Sequence, residues 1–146
     1  MSNVDEAVEL FDGGYACSQA ILAAYGEPLG LTREAGLRLS AGFAAGMRAG
    51  ETCGAVTGAL MVLGLRHGGP DCESERGRKS VYAAVRDFQA RFRKRNGSVI
   101  CKELLRCDLA KRSGMRAAAR RGLFSTACRQ MVRDAAEILE EMAPPA

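Results

Sequence analysis

Apolar residues recur along this chain at helical intervals, and glycines cut the recurrence into segments. Val4, Ala7, Val8 and Phe11 share one face of a helix predicted over Asn3–Asp12, which Gly13 and Gly14 end. Cys17, Ala20, Ile21 and Ala24 mark a second over about 15–25, stopped by Gly26 and Pro28. Thr32 is placed to cap a third, running through Leu37 towards Ser40. The glycine-rich run 42–50 reads as a loop or a weak helix end. Thr52 is expected to cap the next helix, which reaches Leu65 and stops at Gly68-Gly69-Pro70. Val81, Val85, Phe88 and Phe92 predict a long helix over about 74–94, ended by Asn96-Gly97. Ser98 then caps a short helix carrying Ile100, Cys101, Leu104 and Leu105. Residues 108–122 are basic and poorly patterned, with a short helix around 115–121. A last helix opens near Ser125, buries Cys128, Met131, Val132, Ala135, Ile138, Leu139 and Met142, and ends at Pro144-Pro145. No segment alternates as a strand does, so the expectation is all-α, a single-domain helical bundle of about six to seven helices.

A chain of 146 residues can bury a core without disulfide staples. The sequence Met1-Ser2-Asn3-Val4-Asp5-Glu6 is acidic where a signal peptide is basic, and the longest apolar run, 55–65, is about half a membrane span. The expectation is therefore a cytoplasmic protein with no membrane insertion, its six cysteines reduced, metal-bound or transiently oxidised. The net charge of +4 conceals an asymmetry. Residues 86–133 hold fourteen Lys/Arg against three Asp/Glu, and the remainder is acidic on balance. That block lacks the interleaved aromatics and motifs of a nucleic-acid binder, which argues against nucleic acid and leaves a solvated face or an acidic partner.

Four cysteines stand where helices are predicted to begin: Cys17, Cys53, Cys101 and Cys128. A helix N-terminus offers unpaired N–H groups and a partial positive charge, both favouring thiolate. A free cysteine also serves as a small buried hydrophobe, but four at helix starts facing one core form a pattern. None is paired as Cys-x-x-Cys, so neither a thioredoxin-type motif nor a zinc finger fits. The four thiols can meet only if their helices converge. The result would be a tetrathiolate nest for an iron–sulfur cluster, zinc or another soft metal, or a pair cycling through a disulfide. Gly54 and Gly58 lie one turn apart, letting a second helix approach closely and bring its thiol near. Cys53 is expected to be the most nucleophilic. Cys72 and Cys107 read as incidental or auxiliary, His67 as a surface helix cap, and Glu51 as either an exposed first-turn carboxylate or a proton acceptor beside Cys53. No Ser/His/Asp or Cys/His constellation can be assembled, which argues against hydrolysis.

The segments Cys17-Ser18-Gln19-Ala20-Ile21-Leu22, Gly50-Glu51-Thr52-Cys53-Gly54-Ala55-Val56-Thr57-Gly58-Ala59-Leu60 and Cys101-Lys102-Glu103-Leu104-Leu105, with Cys128, resemble the C-GCAxxG-C-C family of small redox-active proteins. The resemblance covers nearly the whole chain and assigns Cys17, Cys53, Cys101 and Cys128 to the family's four cysteines. A similar region occurs in split-Soret cytochromes with an associated iron–sulfur centre. This chain has no Cys-x-x-Cys-His for haem, so the resemblance implies the cluster function alone.

Two functional expectations follow. The first is a redox-active protein, an oxidoreductase or electron-transfer component, with Cys17, Cys53, Cys101 and Cys128 as catalytic or metal-ligating residues, serving a redox partner protein. Their sulfurs should lie within bonding reach of one metal or of one another. The second is a non-catalytic α-helical adaptor that binds an acidic protein through Arg91, Arg93, Lys94, Arg95, Arg116, Arg120 and Arg121. The apolar, glycine-rich central helix is compatible with a homodimer.

Overall fold

Ser2, Thr32 and Ser74 each accept a backbone N–H bond from the residue three places on, and each starts a helix. In the computed structural model, which describes residues 1–143, the helices are α1 (Asn3–Asp12), α2 (Cys17–Gly26), α3 (Arg33–Ser40), α4 (Gly54–His67), α5 (Glu75–Asn96), α6 (Cys101–Leu105), α7 (Arg112–Arg120) and α8 (Ala127–Met142). The eight α-helices, one or two more than the expected six to seven, include both of the short helices anticipated around Cys101 and Met115. Among the described residues no strand occurs, only an isolated antiparallel bridge between Thr52 and Ile100. The architecture is all-α. The stop expected at Pro144-Pro145 lies outside the described residues.

α2 and α4 form the centre and pack most extensively on one another, with α1, α3, α5 and α8 around them. Small residues allow that proximity. A Cβ on Gly58 would stand 2.9 Å from the Ser18 carbonyl oxygen, so only glycine lets the two backbones come this close. The main core is made by Ile21, Leu22, Val56, Val62, Leu63, Phe88, Phe92, Val132, Ile138 and Leu139, all fully buried. α5 and α8 are tied at their outer edge by Arg95, whose guanidinium meets Asp134, Glu137 and Glu141. Tyr25 donates its hydroxyl proton to Glu140 at 2.8 Å, and Arg66 lies over the Tyr25 ring.

A second, smaller core holds Cys101, Leu105, Leu109 and Ala118, with Met115, Leu123, Phe124 and Cys128 packed on it. α6, α7 and the start of α8 build it. The two cores meet along a seam, and Cys17, Cys53, Cys101 and Cys128 lie there.

Two expectations are corrected. Thr52 does not cap α4; the cap position is Cys53, with no side-chain bond, because Thr52 is spent on the bridge to Ile100. Ser98 stands two residues before the α6 cap, Ile100, and its hydroxyl accepts the Ile100 N–H.

Candidate functional site

Cys17 is the first residue of α2, Cys53 the cap of α4, Cys101 the first residue of α6 and Cys128 the second of α8. Each placement has a local cause. At α2, the Gln19 side chain accepts the Ala16 N–H and donates to the Leu37 carbonyl, fixing the helix start against α3. At α4 and α6, the bridge does the work. The Cys53 N–H donates to Val99 at 2.8 Å and the Cys101 N–H to Glu51 at 2.6 Å, so two segments far apart in sequence deliver their thiols side by side. At α8, the Cys128 N–H bonds the Leu123 carbonyl.

All four thiols line one cavity of about 160 Å³. Its walls are otherwise apolar, made largely by Phe11, Leu104, Leu105, Leu109, Met115, Phe124 and Met131, and Arg48 is the one charged residue on its lining. Gly54 forms part of the wall beside Cys17: a Cβ there would stand 2.3 Å from the Cys17 sulfur. The glycine-rich run forms another part. Ala45, Gly46, Met47 and Arg48 have φ of 56, 63, 60 and 59°, one turn of left-handed helix. Three of these are not glycine, and each such residue costs about 1–2 kcal/mol. Ala44, Ala45, Gly46 and Arg48 line the cavity along this turn.

The four thiols converge, but into a ring around a space. All six cysteines are free. Among the described residues no three His, Cys, Asp or Glu side chains are close enough to share one metal ion. The four sulfurs thus share one cavity, and bonding reach of one ion or of one another is not seen among the described residues. The space holds roughly ten times the volume one water requires.

Burial governs the electrostatics. It raises the Cys53 thiol well above its ordinary value, and the neighbouring Cys17 adds to the effect. Burial also raises Cys17, against the opposing backbone N–H groups of Ser18 and Ala45. Cys101 is pushed up to about 11 and Cys128 to about 12, by burial first and then by the other thiols. The helix-terminus argument had Cys53 as the best nucleophile; desolvation outweighs the dipole, and the thiol stays protonated at neutral pH.

The remaining candidates separate cleanly. Glu51 turns away from the cavity and pairs with Lys102 at 3.4 Å. His67 does not line it, and its Nε2 is buried without a hydrogen-bond partner among the described residues, unlike a surface cap. Cys72 is exposed. Cys107 packs on the second core beside Cys101 and Cys128 but lines a separate surface groove with Asp108 and Lys111. Sequence reasoning missed Arg48, the left-handed turn and the Met115 and Phe124 walls. A run of alanine and glycine with one arginine was the only local sign of that turn.

A family model described as "Putative redox-active protein (C_GCAxxG_C_C)" matches residues 15–142. No curated protein and no solved structure matches the chain.

Proposed function

Because the chain belongs to the C-GCAxxG-C-C family of redox-active proteins, we propose that it is an electron-transfer protein whose four cysteines jointly hold an iron–sulfur cluster. The observation that carries this reading is the convergence of four thiols on the lining of one largely apolar cavity. An all-thiolate donor set with no imidazole or carboxylate suits soft metals and iron–sulfur clusters. Zinc accepts the same thiolate donors, and bound sulfide is what separates a cluster from it. Thiol–disulfide cycling is also less well supported, since buried thiols held protonated attack disulfides slowly.

Cys17, Cys53, Cys101 and Cys128 would be the ligands, and the cluster, when bound, supplies one-electron storage. The chain's own contribution is to orient and shield. Two helix starts are fixed by the Thr52–Ile100 bridge, and Gly54 lets Cys17 come up against α4. Phe11, Met115, Phe124 and Met131 exclude water. Ligation takes a proton from each thiol, so the thiol set is uncharged when empty and gives up protons as it fills. Reduced thiols of this kind fit a reducing compartment such as the cytosol.

The test is anaerobic reconstitution of the reduced protein with ferrous iron and sulfide, beside a zinc arm. The expected result is iron and acid-labile sulfide retained through gel filtration with broad visible absorption, both lost in Cys53→Ala. Stoichiometric zinc with no sulfide, or no retained metal and a reversible disulfide among the four, would replace this reading.

A further inference from the structure

α7 breaks two rules of helix electrostatics with no compensating ion pair among the described residues. Its cap is Lys111 and its first residue is Arg112, with no acidic residue in the first turn, so cations stand at the positive end of the helix dipole. Arg112, Arg116 and Arg120 follow at one-turn intervals, a row of like charges that repel. All three are exposed, and among the described residues none forms an ion pair. Residues 106–121 hold six cations against one carboxylate. By contrast, Arg91 and Arg95 are consumed by carboxylates on α8, and Arg121 donates to the Leu105 carbonyl. The basic block thus includes cations spent on structure and others without an ion pair among the described residues, and of these Arg112, Arg116 and Arg120 stand in one row on one helix.

The ridge and the cysteine cavity share α7. Met115, about a quarter-turn round the helix from the ridge, lines that cavity, and Gly114 and Ala118, on the face opposite the ridge, are buried. α7 is also rigidly seated. A Cβ on Gly114 would stand 1.8 Å from the Asp108 carbonyl oxygen, and the Arg121 bond ties the helix end to α6, which begins at Cys101.

We propose that the Arg112–Arg116–Arg120 ridge is the docking surface for an acidic redox protein that exchanges electrons with the four-cysteine site. The proposal rests on the reading of that site as a redox centre. Docking there sets the partner's surface within about one helix diameter, roughly 10 Å, of Met115 on the cavity wall. An acidic face supplies the missing counter-charges and steers the encounter. Anionic lipid fits less well, because the apolar face of α7 is already buried, and nucleic acid less well, because the ridge has no aromatic residue.

The experiment titrates the full chain, empty and reconstituted, with a small acidic [2Fe–2S] ferredoxin of the plant type. It compares wild type, Arg112→Glu/Arg116→Glu/Arg120→Glu, the milder triple glutamine variant, and a control, Arg76→Glu/Arg86→Glu/Lys94→Glu on α5. Circular dichroism verifies the helices. The expected result is saturable binding that weakens with salt, a loss on the order of tenfold or more in the ridge reversal, and a much smaller loss in the control. No saturable binding, equal losses in ridge and control, or tighter ridge-dependent binding of duplex DNA would overturn the proposal. Iron retention is scored separately. Iron kept without docking removes the surface alone, and docking without iron removes the cluster alone.

Discussion

Gly54 approaches Cys17 so closely that a methyl group would lie 2.3 Å from its sulfur. The contact explains why a glycine follows the cysteine of α4: the residue that opens the helix must also leave room for a thiol from α2. Gly54→Ala is accordingly expected to cost about 1–3 kcal/mol, the range of overpacked cores, and to lower iron retention by displacing Cys17. Urea unfolding and iron analysis read the two effects, and a variant as stable as wild type would contradict the geometry. The left-handed turn makes a second test at this scale. Met47 is 42% exposed, so its packing contributes little, and its φ of 60° dominates its energetics. Met47→Gly should be as stable as wild type or more so, since relief of the backbone offsets the entropy of glycine. Met47→Val should lose about 1 kcal/mol or more, because a β-branched side chain is strained there. The reverse order in thermal melts would show that the turn is not held under strain.

The helices were legible in sequence where their causes are local. α1 begins and ends where its apolar face, Ser2 and Gly13 place it, and α5 runs between Ser74 and Gly97, whose φ is 86°. Elements set by distant partners were not. Thr52 has the chemistry of a cap, yet its backbone is recruited by Ile100, on the far side of α5 in sequence. The turn at 45–48 depends on the wall it forms, and no propensity announces four consecutive left-handed positions of which three are not glycine. The α5–α8 pairing is likewise tertiary. Arg95 bridges three carboxylates, and one of them, Asp134, is only 8% exposed. Truncating the arginine leaves that carboxylate short of a partner. Arg95→Ala should therefore cost about 1–2 kcal/mol, between an exposed pair and a buried one. Arg38→Ala, which breaks a pair exposed at both ends, should cost almost nothing. Equal denaturation midpoints for the two variants would show that burial of Asp134 does not matter.

At the scale of the molecule, two cores meet at the cavity, and each supplies part of the thiol set. Cys53 belongs to the main core, with Cys17 packed on it, and Cys101 to the second, with Cys128 packed on it. The four positions could be named from helix starts, but their spacing and their protonation could not, since both come from convergence and burial. That burial has a measurable consequence for the empty protein. An ordinary thiol ionises near 9, while in the fold Cys101 is pushed up to about 11 and Cys128 to about 12. Above pH 9 the unfolded chain releases these protons while the folded chain retains them. The unfolded state then binds fewer protons, so stability must fall as pH rises. The stabilisation is fully present below pH 9 and is lost as pH climbs through 11 to 12. Urea unfolding of the metal-free protein under reducing conditions, in steps from pH 7.5 to 10.5 (on the order of the thiol range), should show this decline, and Cys101→Ser/Cys128→Ser should make it shallower, leaving the share of Cys17 and Cys53. Tyr25, raised by burial and by Glu140, contributes in the same direction, so the difference between wild type and variant isolates the thiols. Identical slopes would mean that the two thiols titrate in the fold as they do in the unfolded chain, and that the seam between the cores is wet.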